Sequence, residues 1–258
     1  MSLRSALALL GLLAVTGAAA ATNDPATAVI RGRALARQLL QQWPATHVTQ
    51  TGVLKIRDAG KRRSQVPIRC EVRVTGTNWS SFYAATFTNR VETLLVIHAA
   101  DRPNQYFYDT LLSNNVPILG DIPVLGHLFR GHELAGAAAM VPFAGSDFWL
   151  ADLGLEFFHW PDQKILRHEF CRTRGCDVLE STNPDPATNG YSRVLTWIDT
   201  EGGGIVQAEA YDAGGKLLKE FYPKDLKKVD GQWQVQTMDI SNVQTRSQTR
   251  MDFDLKPE

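Results

Sequence analysis

Apolar and polar positions first recur along the chain at helical spacing. Asp24 precedes Pro25, an N-cap followed by proline at the first helical position. Val29, Ala36, Leu39, Leu40 and Trp43 then form one stripe, with Arg31, Arg33, Arg37 and Gln41 mostly elsewhere on the surface, and Pro44 ends the run. This predicts a single amphipathic helix. After Pro44 the period becomes two. Leu54 and Ile56 alternate with Lys55 and Arg57, and Cys70, Val72 and Val74 alternate with Glu71 and Arg73. Trp79–Phe87 and Thr93–His98 are also strand-like, and turns such as Asp58–Arg63 separate the runs. The second half continues with Ile165–Cys171, Cys176–Ser181, Tyr191–Asp199, Ile205–Asp212, Leu217–Tyr222, Trp233–Ile240 and Thr245–Leu255. Glu201–Gly204, Ala213–Gly215 and Asp230-Gly231 supply turns between them. The pattern predicts about eleven strands in one antiparallel meander, each apolar on one face.

Two stretches break the alternation. Leu111–Val141 reads as helical and turn-like, and within it VPILGDIPVLGHLFRG (Val116–Gly131) carries only Asp121 and Arg130 as formal charges. Pro117, Gly120, Pro123 and Gly126 force turns there, while Leu119, Ile122, Leu125, Leu128 and Phe129 present apolar surface. The segment PFAGSDFWLADLGLEFFHWPDQ follows, with Ser146 or Asp147 expected to cap a short helix. Phe148, Trp149, Phe157, Phe158 and Trp160 place five aromatics in thirteen residues, against 9% for the chain, which makes this either a core plug or a ligand-facing wall. The expected fold is mainly β (α+β): a single curved antiparallel sheet or incomplete β-barrel, with one N-terminal helix and a helical lid. No linker rich in Pro, Ser or charge divides the chain, so residues 22–258 read as one domain with a lid-like apolar insertion at 111–160.

The beginning of the chain is of another kind. Arg4, the apolar run Ala6–Val15 and the small residues Thr16–Ala21 have the order of a cleavable secretory signal peptide, expected to be removed after residue 20 or 21. The protein is therefore expected to be exported. No other run approaches the ~20 apolar residues that a transmembrane helix needs. Residues 1–21 contain one of the 27 basic residues and none of the 27 acidic ones, so 27 − 1 = 26 basic face 27 acidic. Such a balance gives no electrostatic reason to expect nucleic acid. Cys171 and Cys176 flank R-T-R-G, which reads as a hairpin turn; facing positions across it suit a disulfide in an oxidising compartment. Cys70 reads as a buried free thiol.

Catalytic patterns are sparse. There is no G-x-S-x-G elbow, and His127 and His132 would stand about 140° apart on a helix. Gly202–Gly204 precedes no helix, unlike a phosphate loop. The residues therefore suggest no enzyme, no cofactor and no metal.

Several segments resemble the outer-membrane lipoprotein-sorting proteins, a LolA-like group of exported bacterial proteins. They are G-S-D-F at Gly145–Phe148, Y-D-x-x-G-K-L-x-K-x-F at Tyr211–Phe221, and the closing strand at Arg246–Leu255, which ends D-F-D-L. The resemblance covers most of residues 22–258. It implies an incomplete barrel with helices over a concave apolar surface, which in the best-known members holds lipoprotein acyl chains. A monomeric periplasmic carrier with transfer partners at the inner and outer membranes would follow. The ligand-facing candidates are Leu119, Ile122, Leu125, Leu128, Phe129, Phe143, Phe148, Trp149, Phe157, Phe158 and Trp160. The alternative is a cell-envelope interaction or sensor module with a filled barrel. Separately, VPILGDIPVLGHLFR resembles a short pore-domain segment of the secretins. Nothing else in the chain does, so a shared local steric solution is the expectation there.

Overall fold

The computed structural model describes residues 24–75, 78–99, 101–112, 132–134, 136–229 and 232–255. The signal-peptide segment and the secretin-like segment, with Leu119, Ile122, Leu125, Leu128 and Phe129, lie outside the described residues. Helix α1 (Pro25–Leu40) starts as its sequence predicts: the Asp24 carboxylate accepts from the Thr27 amide at 3.1 Å. It ends at Leu40 with Gln41 as its C-cap, so Trp43 lies past it.

The strands follow in two runs. The first is β1 (Val48–Arg57), β2 (Arg63–Thr75), β3 (Asn78–Thr86), β4 (Arg90–His98), β5 (Gln105–Leu112) and β6 (His132–Leu134). The second is β7 (Asp162–Cys171), β8 (Arg174–Thr182), β9 (Tyr191–Asp199), β10 (Ile205–Asp212), β11 (Leu217–Val229), β12 (Gln232–Asn242) and β13 (Ser247–Phe253). Among the described residues these make one sheet of 13 strands, in the order β6-β5-β4-β3-β2-β1-β13-β12-β11-β10-β9-β8-β7. Each run is a meander. The two runs join where β1 pairs antiparallel with β13, Leu54 opposite Met251. The margins of the sheet are therefore β6 and β7, consecutive in sequence, and the chain between them crosses its open side. The mainly β, open and curved antiparallel architecture agrees with the expectation. Its extra strands, β5 and β6, fall partly in the stretch expected to be helical and turn-like.

The core lies on the concave side. Leu54, Ile68, Leu94, Val96, Leu179, Ile198 and Met251 are buried there against the crossing segment. The opposite face carries two smaller apolar clusters, one around Val178, Leu195 and Trp197 and one around Phe82, Ala84 and Val91. Long polar side chains cover the first of these: Arg167 lies over the Trp197 ring, and the Trp197 indole donates to Glu169 at 2.6 Å. Stems of charged residues over apolar surface explain how both faces of β8 and β9 are buried in a single-layer sheet.

Helix α1 rests on the margin strand β7, and a glycine permits the approach. A Cβ built on Gly32 would lie 2.4 Å from the Cα of Lys164, inside any tolerable contact. Cys70 is buried and free, as its sequence context suggests. The expected Cys171–Cys176 disulfide is absent; both thiols are free. The reason is register. The β7–β8 turn contains only Arg172 and Thr173, both at positive φ, so Cys171 faces Arg174 and Cys176 faces Glu169. The two cysteines are diagonal neighbours, a relation that separates Cα atoms by roughly 7–8 Å, beyond the usual reach of a disulfide.

Candidate functional site

The segment crossing the open side of the sheet folds back on itself. The Phe143 amide donates to the Phe148 carbonyl at 2.8 Å and the Leu150 amide to the Val141 carbonyl at 3.0 Å, closing a tight loop. A short helix α2 (Leu150–Gly154) and a 3₁₀ turn (Glu156–His159) follow. The cap of α2 differs from the expectation. Its N-cap is Trp149, whose amide donates to the Asp152 carboxylate at 2.8 Å. Ser146 instead accepts from the Phe148 amide at 3.1 Å, inside the loop. The Asp147 carboxylate accepts from the hydroxyls of Ser247 and Thr249, and its amide donates to Thr249 at 2.9 Å. The G-S-D-F segment thus ties the crossing loop to β13.

The aromatic candidates lie beneath this cover. Phe143 meets Tyr83 of β3 edge-on, and Phe148 meets Phe221 of β11 edge-on. Trp149 stacks on Tyr191 of β9, centroids 4.6 Å apart at 12°. Phe157 packs edge-on against both Phe158 and Trp160. Phe143, Phe148, Phe157 and Phe158 are buried, and Trp149 and Trp160 are partly buried against the same core. The structure therefore brings together the six described candidates as one aromatic layer on the concave face.

Polar side chains that sequence reasoning missed hold this layer down. Lys219 of β11 is 2% exposed. Its ammonium lies 3.2 Å from Asp152 and 3.6 Å from the centroid of the Trp149 ring. The Tyr191 hydroxyl donates to both Asp152 oxygens, at 2.8 and 3.1 Å. Burial lowers the Lys219 pKa to about 8, and the Asp152 charge opposes that shift. A second anchor joins the 3₁₀ turn to β5: Tyr106 donates to Glu156 at 2.9 Å, and the Asn104 amide donates to the Gly154 carbonyl at 2.7 Å. Burial raises the Glu156 carboxyl to about 7, offset in part by the hydrogen bonds of Tyr106 and Asn104. A Cβ on Gly154 would fall 2.1 Å from the Tyr106 hydroxyl, so this contact requires glycine. A third anchor is Glu92 of β4, which accepts from Tyr108 at 2.6 Å and from the Ala144 amide at 3.0 Å. Lys219 had a legible signal: it stands two residues from Phe221 in β11 and so shares its inward face.

A cleft of about 290 Å³ opens where the sheet is open. One wall is α1, with Arg33, Ala36, Arg37 and Leu40. The second is the β4–β5 connection, with Asp101, Arg102 and Pro103. The third runs from the 3₁₀ turn into β7, with Phe158, His159, Trp160, Pro161 and Gln163. Elements from both margins of the sheet thus meet around it. Burial lowers the His159 pKa to about 4, so the ring is neutral at ordinary pH, and its Nε2 is a buried atom with no partner among the described residues. No group of three His, Cys, Asp or Glu among the described residues could hold a metal ion. No helix among them is long and apolar enough to cross a membrane.

An open antiparallel sheet with its concave side covered by helical and aromatic elements matches the LolA-like fold of solved structures. A putative outer membrane lipoprotein-sorting protein domain from Vibrio parahaemolyticus is similar at a TM-score of 0.66 and 20% identity, covering 88% of this chain and 92% of that one. A DUF1329 family protein from Desulfovibrio piger gives 0.67 at 17% identity, covering 88% and 91%. A LolA superfamily protein from Nitrosomonas europaea gives 0.57 at 16% identity, covering 90% and 94%. No curated protein matches the sequence. Residues 127–255, half of the chain, match a family model described as "-like: Uncharacterized protein", and the chain belongs to that family.

Proposed function

We propose that the protein is an exported periplasmic carrier or chaperone that binds lipoprotein acyl chains or another apolar ligand without covalent chemistry. The observation that carries this reading is the cleft at the open margin of the sheet, where Ala36, Leu40, Phe158 and Trp160 share the lining with polar groups. Its volume of about 290 Å³ lies just under that of ordinary ligand pockets, which run from about 300 Å³ upward. Removing an acyl chain from water contributes about 0.8 kcal/mol per methylene, so affinity would scale with the length of chain that the site covers. The similarity to a putative lipoprotein-sorting domain supports the same class of ligand. The connection between β5 and β6 adds Leu119, Ile122, Leu125, Leu128 and Phe129, proposed as part of the binding surface on their sequence alone. Replacing Leu125 and Phe129 with Asp should lower the affinity for a fluorescent fatty acid and leave the melting temperature unchanged. Unchanged affinity would remove this segment from the site.

A second reading is an interaction module with a filled barrel. Two observations favour it. The aromatic layer occupies the concave face, and the margin strand β7 presents Phe170 at 81% exposure and Leu166 at 38%. A partner strand could pair with such an edge.

A further inference from the structure

The cleft has a charge pattern that an acyl chain alone does not use. Arg33 and Arg37 stand one helical turn apart on α1, an arrangement in which like charges destabilise a helix. Arg102 joins them from the β4–β5 connection on the opposite wall. All three are exposed, and none of their guanidinium groups makes an ion pair or hydrogen bond with a described residue. Asp101 is the acidic side chain of the lining, so with His159 neutral the cleft carries 3 − 1 = +2. Elsewhere the arginines of this protein are commonly matched: Arg90 to Glu92, Arg167 to Glu169, Arg193 to Glu180 and Arg250 to Asp239. The same lining holds Leu40, Phe158 and Trp160.

We propose that the cleft takes an amphiphile with an anionic headgroup, a carboxylate or a phosphate, held by Arg33, Arg37 and Arg102 with its acyl chain on Phe158, Trp160 and Leu40. This rests on the carrier reading and adds the headgroup to it. Guanidinium groups pair with either oxyanion in bidentate geometry. A purely apolar ligand would leave three unmatched cations beside its chain.

The test compares a naturally fluorescent polyene fatty acid with its methyl ester, which keeps the chain and removes the charge. The full-length secreted protein is titrated with each, and so is its R33Q/R37Q/R102Q variant. We expect the acid to bind about ten-fold tighter than the ester, the scale of a few partly exposed ion pairs. In the variant the ratio should fall to about one while ester affinity holds, and added salt should narrow the wild-type ratio. Displacement of the bound acid by lysophosphatidic acid or by laurate then tells a phosphate head from a carboxylate. Equal binding of acid and ester by the wild type would overturn the headgroup assignment and leave the carrier reading standing. So would a preference that survives in the variant. Binding of neither probe would overturn both. The wild-type comparison does not depend on how the variant folds.

Discussion

Lys219 is a charged side chain on an apolar face, and Asp152 keeps it there. The pair also fixes Trp149 and Tyr191, because the ammonium lies over one ring and the other ring's hydroxyl shares the carboxylate. Removing one partner of a buried pair leaves the other uncompensated, at a cost of about 3–5 kcal/mol. Urea unfolding of K219M should show a loss of this size, and the D152N/K219M double variant should recover part of it. An unchanged midpoint for K219M would mean that the pair does not hold the cover. Glu156 gives a signature in pH. Burial raises its folded carboxyl to about 7 from the ordinary 4.5, so the folded state holds a proton that the unfolded state has lost. Stability from this group is therefore greatest below about pH 4.5, declines as pH rises toward 7, and is level above that. The E156Q variant keeps an acceptor for Tyr106 and cannot titrate. Its stability relative to wild type should rise by about 3 kcal/mol across that window. A constant difference from pH 4.5 to 7 would contradict the burial assigned to Glu156. Neither residue stood out beforehand as an anchor. Alternation marks Lys219 as inward-facing, but which carboxylate meets it depends on how a distant segment crosses the sheet.

At the scale of elements, legibility followed periodicity. The Asp24-Pro25 start of α1 and the alternating strands could be read because local chemistry decides them. Strand β5 could not, since Tyr106, Phe107 and Tyr108 put aromatics on both faces and erase the alternation. Strand β6 has three residues, too few for any period. The cap of α2 was misplaced because Asp147, a good capping residue by type, is taken by Ser247 and Thr249 of β13. The cysteine pairing failed on a two-residue shift in turn length. Contact between elements has its own test. Gly32 lets α1 lie on the backbone of β7, so G32A must push the helix outward. Overpacking of this kind costs about 1–3 kcal/mol. Because α1 is also a wall of the cleft, the same variant should weaken ligand binding along with the melting temperature. A variant that melts as wild type would show that the helix adjusts without leaving the strand.

For the molecule as a whole, the sheet is a single meander cut between β6 and β7 and closed through β1 and β13. Strand patterns revealed the open antiparallel class. They did not reveal where the opening falls, because a period of two says nothing about which distant strands pair. That closure is what brings α1, the β4–β5 connection and the 3₁₀ turn together around the cleft, and it explains why the cleft's arginines were unreadable as a group. The aromatic candidates were legible as a cluster, and their burial is what keeps two functional readings alive. The most direct test is native mass spectrometry of the protein, expressed with its expected signal segment and purified without detergent, followed by organic extraction. The carrier account predicts a discrete added mass that extracts as a lipid or an acylated peptide. A bare polypeptide mass that takes up neither added fatty acid nor lipopeptide would contradict it, and would favour the filled module that meets a partner along β7.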